Sequence, residues 1–298
     1  MKIIESIPNI SEGRNKKVIE ACVDQIRETI GCTLMQYTSD PSHNRSVITY
    51  MGSPEAVEEA SIKLAKKAVE LIDLTKHKGE HPRIGCVDVM PFVPLQDVTE
   101  EECINLTQVI GKRISKEANL PVFLYEKSAK QEYRKNLADI RRGGFEGLNE
   151  KMKNPKWIPD FGGSRINSTG GAVCVGCRLP LIAWNVNLDT NDLDAAKNIA
   201  KEIRESSGGM PCVKALGIML KNENIAQVSI NLSDYRVTPP HKVTEEIRKL
   251  AKKRGIKIKN CELIGLCPAP ALYAAAGYYL QIEDFDEKGQ VIENYLLK

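Results

Sequence analysis

Residues 77–85 read HKGEHPRIG and hold two of the chain's four histidines, with a glutamate between them and an arginine close behind. Imidazole titrates near neutrality, so it can take a proton from a reacting amine and return it. Gly79 and Pro82 keep the stretch out of a helix, and polar, titratable groups crowded into an irregular segment suit chemistry better than folding. His77, Glu80 and His81 match the H-x-x-E-H spacing of a zinc protease. That chemistry needs both histidines on one helical face. Gly79 costs a helix ~1 kcal/mol relative to alanine, and Pro82 disfavours helical geometry at His81. With the zinc reading set aside, His81 is expected to be a lone general base, stiffened by Pro82 and neighboured by Arg83. For His77 two readings stand side by side, a surface histidine or an anchor of the loop.

Two further clusters carry candidate chemistry. SDPSHNRSV, residues 39–47, brings Asp40, His43 and Arg45 into a turn. A carboxylate close to His81 would hold its tautomer and stabilise the imidazolium. DFGGSRINSTGGAVCVG, residues 160–176, sets Gly162, Gly163, Gly170 and Gly171 around a polar run containing Ser164, Arg165, Asn167 and Thr169. Glycines allow a ligand to approach the backbone closely, although a flexible linker has the same composition. The run lacks the G-K-[ST] ending of a phosphate loop and is not a dinucleotide turn. Cys174 and Cys177 are spaced as C-x-x-C, but no second pair completes a zinc site, so they read as two small residues in a strand.

The elements that must position these groups repeat. The first half reads strand (2–8), helix (16–30), strand (33–39), strand (45–51), helix from Pro54 and strand (86–92). Helical stripes run Ile19, Cys22, Val23, Ile26, Ile30 and then Val57, Ala60, Leu64, Ala68, Leu71. The second half repeats the order with a strand (179–188), a helix (192–206), strands 213–220 and 225–232, a helix (240–254) and a strand (257–264). The βαββαβ order predicts an α+β protein of two ferredoxin-like subdomains, 1–178 and 179–298, packed with a ligand cleft between them. Between the copies lie an extra helix (99–118) whose Thr99 and Glu102 have capping-box spacing, and a strand at 122–125. The loop carrying HKGEHPRIG has no counterpart in the second copy; long connections in compact domains are usually functional or disordered, and one this rich in His, Glu and Arg reads as functional.

Composition narrows the function. The 298 residues carry 42 basic and 39 acidic side chains, a net charge of +3, which makes no case for nucleic acid. No apolar run is long enough to cross a bilayer, and the N-terminus lacks the apolar core of a signal peptide. A cytoplasmic protein with nine reduced cysteines is expected.

IPNISEG near the start, HKGEHPRIG, VDVMPFVP, PVFLYEKSA, PDFGGS and NIAQVSINL together resemble the glutamate formimidoyltransferase family, the transferase part of formimidoyltransferase-cyclodeaminase, over nearly the whole chain. The resemblance implies transfer of a formimino group from N-formimino-L-glutamate to the position-5 nitrogen of tetrahydrofolate, in histidine degradation. It also implies a homodimer with tetrahydrofolate as co-substrate and no metal. His81 matches the family's essential histidine and Asp40 an aspartate near its active site. Gly162–Gly171 matches a folate-contacting segment, more polar here than in the family. Both substrates carry carboxylates, so Arg45, Arg83, Arg165 and Arg178 are the expected anion contacts. No helical cyclodeaminase part follows, so transfer without cyclisation is expected. N-formyl-L-glutamate is an alternative donor, differing only in C=O for C=NH. A folate- or anion-binding module without activity is the non-enzymatic alternative.

Overall fold

A computed structural model describes the chain except Glu80, Lys221, Asn222, Leu297 and Lys298, with the backbone alone of Leu296. It divides into two compact units, residues 1–178 and 179–298. In the first, the β-prone start forms β1 (Ile3–Ser6) and β2 (Asn9–Ile10), followed by α1 (Lys16–Arg27), β3 (Cys32–Asp40), β4 (Arg45–Gly52), α2 (Pro54–Leu71), β5 (Val87–Gln96), α3 (Glu100–Glu117), β6 (Val122–Leu124), α4 (Leu137–Arg141), α5 (Gly144–Lys151) and β7 (Val173–Cys177). Local chemistry sets the helix starts. Ser53 accepts a bond from the Ala56 N–H ahead of Pro54, and Thr99 and Glu102 close the expected capping box. The strands lie in the order β3, β4, β1 with β2, β5, β7, β6. The pairs up to β5 are antiparallel, whereas β5–β7 and β7–β6 are parallel.

The stripes of α1, α2 and α3 cover one sheet face, around Ile26, Leu64, Ile110 and Phe92. The other face is covered at its parallel end, where Ile140, Leu148 and Met152 pack on Val89, Phe123, Tyr125 and Cys174. A ferredoxin-like unit alone would carry helices on one face only. Strands β6 and β7 are buried throughout, as parallel strands are, and need cover on both sides. Residues 173–177 are therefore sheet core rather than linker. Cys174 and Cys177, an odd number apart on a strand, point to opposite faces, which bars them from sharing a metal. Two stripe positions also need correction. Ile30 lies beyond the end of α1 and is 97% exposed, and Leu71, the last residue of α2, is 38% exposed.

The second unit contains β8 (Ile182–Leu188), α6 (Leu193–Ile203), β9 (Val213–Leu220), β10 (Ile225–Leu232), α7 (Pro240–Lys252) and β11 (Ile258–Ile264), then α8 (Ala269–Leu280) and α9 (Glu293–Leu296). Its antiparallel sheet has the order β11, β8, β10, β9. Val186, Val228 and Ile230 face Ile199, Ile203, Val243 and Ile247 of the two amphipathic helices. The opposite face carries Asn187 and Gln227, both 2% exposed, hydrogen-bonded to each other and to Glu262.

Candidate active site

The loop after α2 is clamped from three directions. Asn44 sits at the end of the β3–β4 turn with φ +48°, a left-handed conformation that asparagine tolerates better than most residues. Its side chain accepts the Gly13 N–H at 2.9 Å and donates to the Lys78 carbonyl at 3.1 Å. Its own carbonyl accepts His77 Nε2–H at 2.8 Å. From the IPNISEG segment, Ser11 donates its hydroxyl to the Gly85 carbonyl at 2.7 Å and its N–H to the Cys86 carbonyl at 2.8 Å. The contacts are close enough to require glycine. A Cβ on Gly79 would lie 2.2 Å from the His43 carbonyl oxygen.

The glycine-rich segment is the third clamp. Thr169 and Gly170 offer carbonyls to the Leu74 and Cys86 N–H groups, and the Ile84 carbonyl accepts Ala172 N–H. Asn167 folds the segment on itself, accepting the Gly170 N–H at 2.8 Å. Gly171, at φ +70°, leaves no room for a Cβ, which would meet the Ile84 carbonyl oxygen at 2.1 Å. Gly162, Gly163, Ser164 and Arg165 are exposed. Asp160, from the PDFGGS motif, forms a buried ion pair with Arg134 at 2.8 Å.

Within this frame His81 Nδ1–H donates to the Pro82 carbonyl at 2.7 Å. That bond puts the proton on Nδ1 and leaves the lone pair on Nε2. Nε2 in turn accepts a bond from Arg45 Nη1, while Arg45 Nη2 donates to the Asn9 side-chain carbonyl. Burial, then the positive charges of Arg45 and Arg141, pull the His81 pKa down to about 4, opposed by Asp88. The imidazole is therefore neutral at pH 7, the form a base requires. Burial also brings the Arg45 pKa down to about 10, with Arg141 adding to the effect.

The remaining expected residues fall elsewhere. Asp40 does not touch His81. Its carboxylate holds His43 Nδ1 at 2.6 Å and accepts the Ser42 and His43 N–H groups. Although burial acts to raise the Asp40 pKa, those bonds outweigh it and keep it below the ordinary value. The His43 ring stands edge-on to His81 with centroids 6.1 Å apart, so Asp40 is one ring removed. Arg83 points to its own partners, with Nε–H donating to His77 Nδ1 at 3.0 Å and both Nη atoms held by Glu146. His77 thus has both ring nitrogens engaged and ties the loop to the turn. Glu80, the carboxylate of the zinc-like spacing, lies outside the described residues. No group of three metal-ligating side chains occurs among the described residues. Arg178 lies at the end of β7, where its N–H meets the Phe92 carbonyl and its charge counters the rise that burial imposes on Glu5.

Sequence reading missed Asn9, Asp88 and Arg141. Asp88 is 2% exposed, accepts the Ile84 N–H at 2.8 Å and pairs with Arg141. A lone carboxylate in the apolar run CVDVMPF is itself a signal, since buried acids are rare unless paired. Arg141 lies 53 residues away on α4, where nothing local marks it.

A neutral imidazole with a defined basic nitrogen, ringed by guanidinium groups, belongs to proton-transfer chemistry on anionic substrates. The chain is a member of the formiminotransferase family: residues 3–178 match the formiminotransferase domain, N-terminal subdomain, and residues 183–294 match the formiminotransferase domain. Among its relatives, the glutamate formimidoyltransferase of Streptococcus pyogenes serotype M1 is 48% identical over 296 residues, covering 99% of both chains. The protein of that name from Thermoplasma acidophilum is 41% identical over 300 residues, covering 100% of this chain and 98% of the other. The formimidoyltransferase-cyclodeaminase of Gallus gallus is 44% identical over 289 residues, and this chain spans 53% of its length.

Proposed function

We propose that this protein transfers the formimino group of N-formimino-L-glutamate to the position-5 nitrogen of tetrahydrofolate, releasing glutamate, as a step of histidine degradation. The observation that carries the reading is 48% identity across 99% of both chains with a glutamate formimidoyltransferase. The folate nitrogen attacks the amidine carbon, and His81 Nε2 takes the proton that this nitrogen loses. The bond from carbon to the glutamate nitrogen then breaks as the imidazolium returns the proton to that nitrogen. No proton is left over and no covalent intermediate with the protein is required.

Asp40 acts through His43, as a positioning residue. Arg83 sets the loop with His77 and Glu146, and Arg45 contacts substrate. Of the glycine-rich segment, Gly162, Gly163, Ser164 and Arg165 are exposed and suited to meeting tetrahydrofolate, while Asn167, Thr169, Gly170 and Gly171 shape the support beneath. Arg178 is a further carboxylate contact. The two units are the two subdomains, each ferredoxin-like in its strand order, the first extended by β7 and β6. A reducing, cytoplasmic setting suits nine free cysteines, and α8 supports a homodimer through the exposed Leu272, Tyr278, Tyr279 and Leu280.

The test is to incubate purified protein with tetrahydrofolate and N-formimino-L-glutamate, with N-formyl-L-glutamate in parallel. Formimino turnover that falls about 100-fold or more in His81→Ala is expected. Turnover of neither donor would refute the function, and unaltered turnover in the variant would refute the mechanism.

A further inference from the structure

We infer that Arg45 and Arg141 form a carboxylate subsite beside His81, and that Arg45 masks the imidazole until the donor's carboxylate draws it away. This deepens the proposed transfer reaction, since it rests on His81 being the base. Nε2 carries the only lone pair of the ring, and Arg45 occupies it. A lone pair already accepting a guanidinium N–H cannot take a proton from an attacking amine. The structure therefore holds the base with its basic nitrogen covered.

Arg45 is poorly satisfied where it is. Its other partner is the neutral amide of Asn9, and it has no carboxylate partner among the described residues. Asp88 is occupied by Arg141 and the Ile84 N–H. The Nε–H groups of both Arg45 and Arg141 are buried without an acceptor. Buried unpaired donors are costly and are retained where something else satisfies them. Among the described residues, the charged and titratable side chains facing His81 are Arg45 from β4, Arg141 from α4, Asp88 from β5 and His43 from the turn. With the imidazole neutral, two cations face one carboxylate among the described residues, and an added carboxylate balances that set. A bidentate bond to that carboxylate is stronger than the bond to imidazole, so Arg45 transfers to the ligand. Two effects then raise the basicity of His81 together: Nε2 is uncovered, and the neighbouring positive charge is neutralised.

The experiment is an NMR titration of the His81 imidazole in the full-length protein, alone, with saturating L-glutamate, and with p-aminobenzoyl-L-glutamate as a mimic of the folate tail. A free-protein value near about 4 is expected, rising by about 1–3 units with L-glutamate. Arg45→Met should raise the value without ligand and abolish the response. Arg141→Met, which removes a smaller cause of the depression than Arg45 supplies, should also raise the value without ligand and weaken glutamate binding about tenfold. Glutamate binding that leaves the imidazole unmoved would overturn the proposal, as would an Arg45→Met protein with the wild-type value. An equal rise with the folate-tail mimic would reassign the subsite away from the donor. Should Arg45→Met not fold, Arg45→Lys replaces it, with a weakened glutamate response expected and an undiminished one counting against the fork. The two claims separate cleanly: a glutamate-linked rise without formimino turnover removes the reaction and keeps the subsite, whereas turnover without the rise does the reverse.

Discussion

His81 combines two properties that a free imidazole lacks together: its neutral form persists well below physiological pH, and its basic nitrogen is fixed in place. The Pro82 carbonyl fixes the tautomer, while burial and the flanking guanidinium groups keep the ring neutral. A depressed histidine pKa makes stability depend on pH. The unfolded chain binds a proton near about 6.5 and the folded ring only near about 4. Between those values the unfolded state holds more protons, so stability falls as pH falls and levels off below the folded pKa. Urea unfolding of wild type and His81→Gln between pH 7 and 4 should show a steeper acid loss in wild type, and identical slopes would count against the neutral, desolvated ring. His77 and His241, also depressed by burial, contribute with the same sign in both proteins and cancel in the comparison. The histidine itself was legible in the sequence because polar groups crowd a stretch that cannot be helical. Asp88 and Arg141 were not, because chain separation hides a pair that only the fold brings together.

At the scale of elements, the loop works because it is held by other segments rather than by its own structure. Asn44, Ser11 and the 167–172 backbone each supply bonds that the loop cannot make for itself. Gly79→Ala would press a Cβ against the His43 carbonyl and displace the residues leading to His81. Misplacement by about 1 Å can cost about 100-fold in rate. We expect that order of loss in kcat for Gly79→Ala, with a melting temperature within about 5 °C of wild type since the core is untouched. Full activity in this variant would show that the clamp does not set His81. Periodicity made the helices and the antiparallel strands readable, down to the caps at Ser53 and Thr99. The strand at Cys174 and Cys177 was readable too, but not its parallel place between β5 and β6, because VCVGC is short and follows a glycine-rich segment with a linker's composition. The same segment shows how composition misleads: Gly171 is there for want of space beside Ile84, not for flexibility.

At the scale of the molecule, α8 stands apart. Its sequence, APALYAAAGYYL, is apolar on all sides, yet Ala271 is its one buried side chain. Leu272, Tyr278, Tyr279 and Leu280 stay exposed, which supports the homodimer proposed above. Sedimentation velocity should find a dimer in wild type and monomer in Leu272→Glu with Tyr279→Glu, and a monomeric wild type would remove the homodimer. Period and pattern could not have shown this, since a helix without an amphipathic stripe looks like core until its exposure is known. The order of strands in the first sheet has a consequence of another kind. β7, residues 173–177, lies between β5 and β6, both made earlier in the chain. On the ribosome, β6 must wait for its neighbour through the synthesis of the whole intervening stretch, on the order of several seconds at typical elongation rates. During that interval the nascent chain presents an open parallel edge at β5, which makes it a natural client for chaperones until residue 177 has emerged.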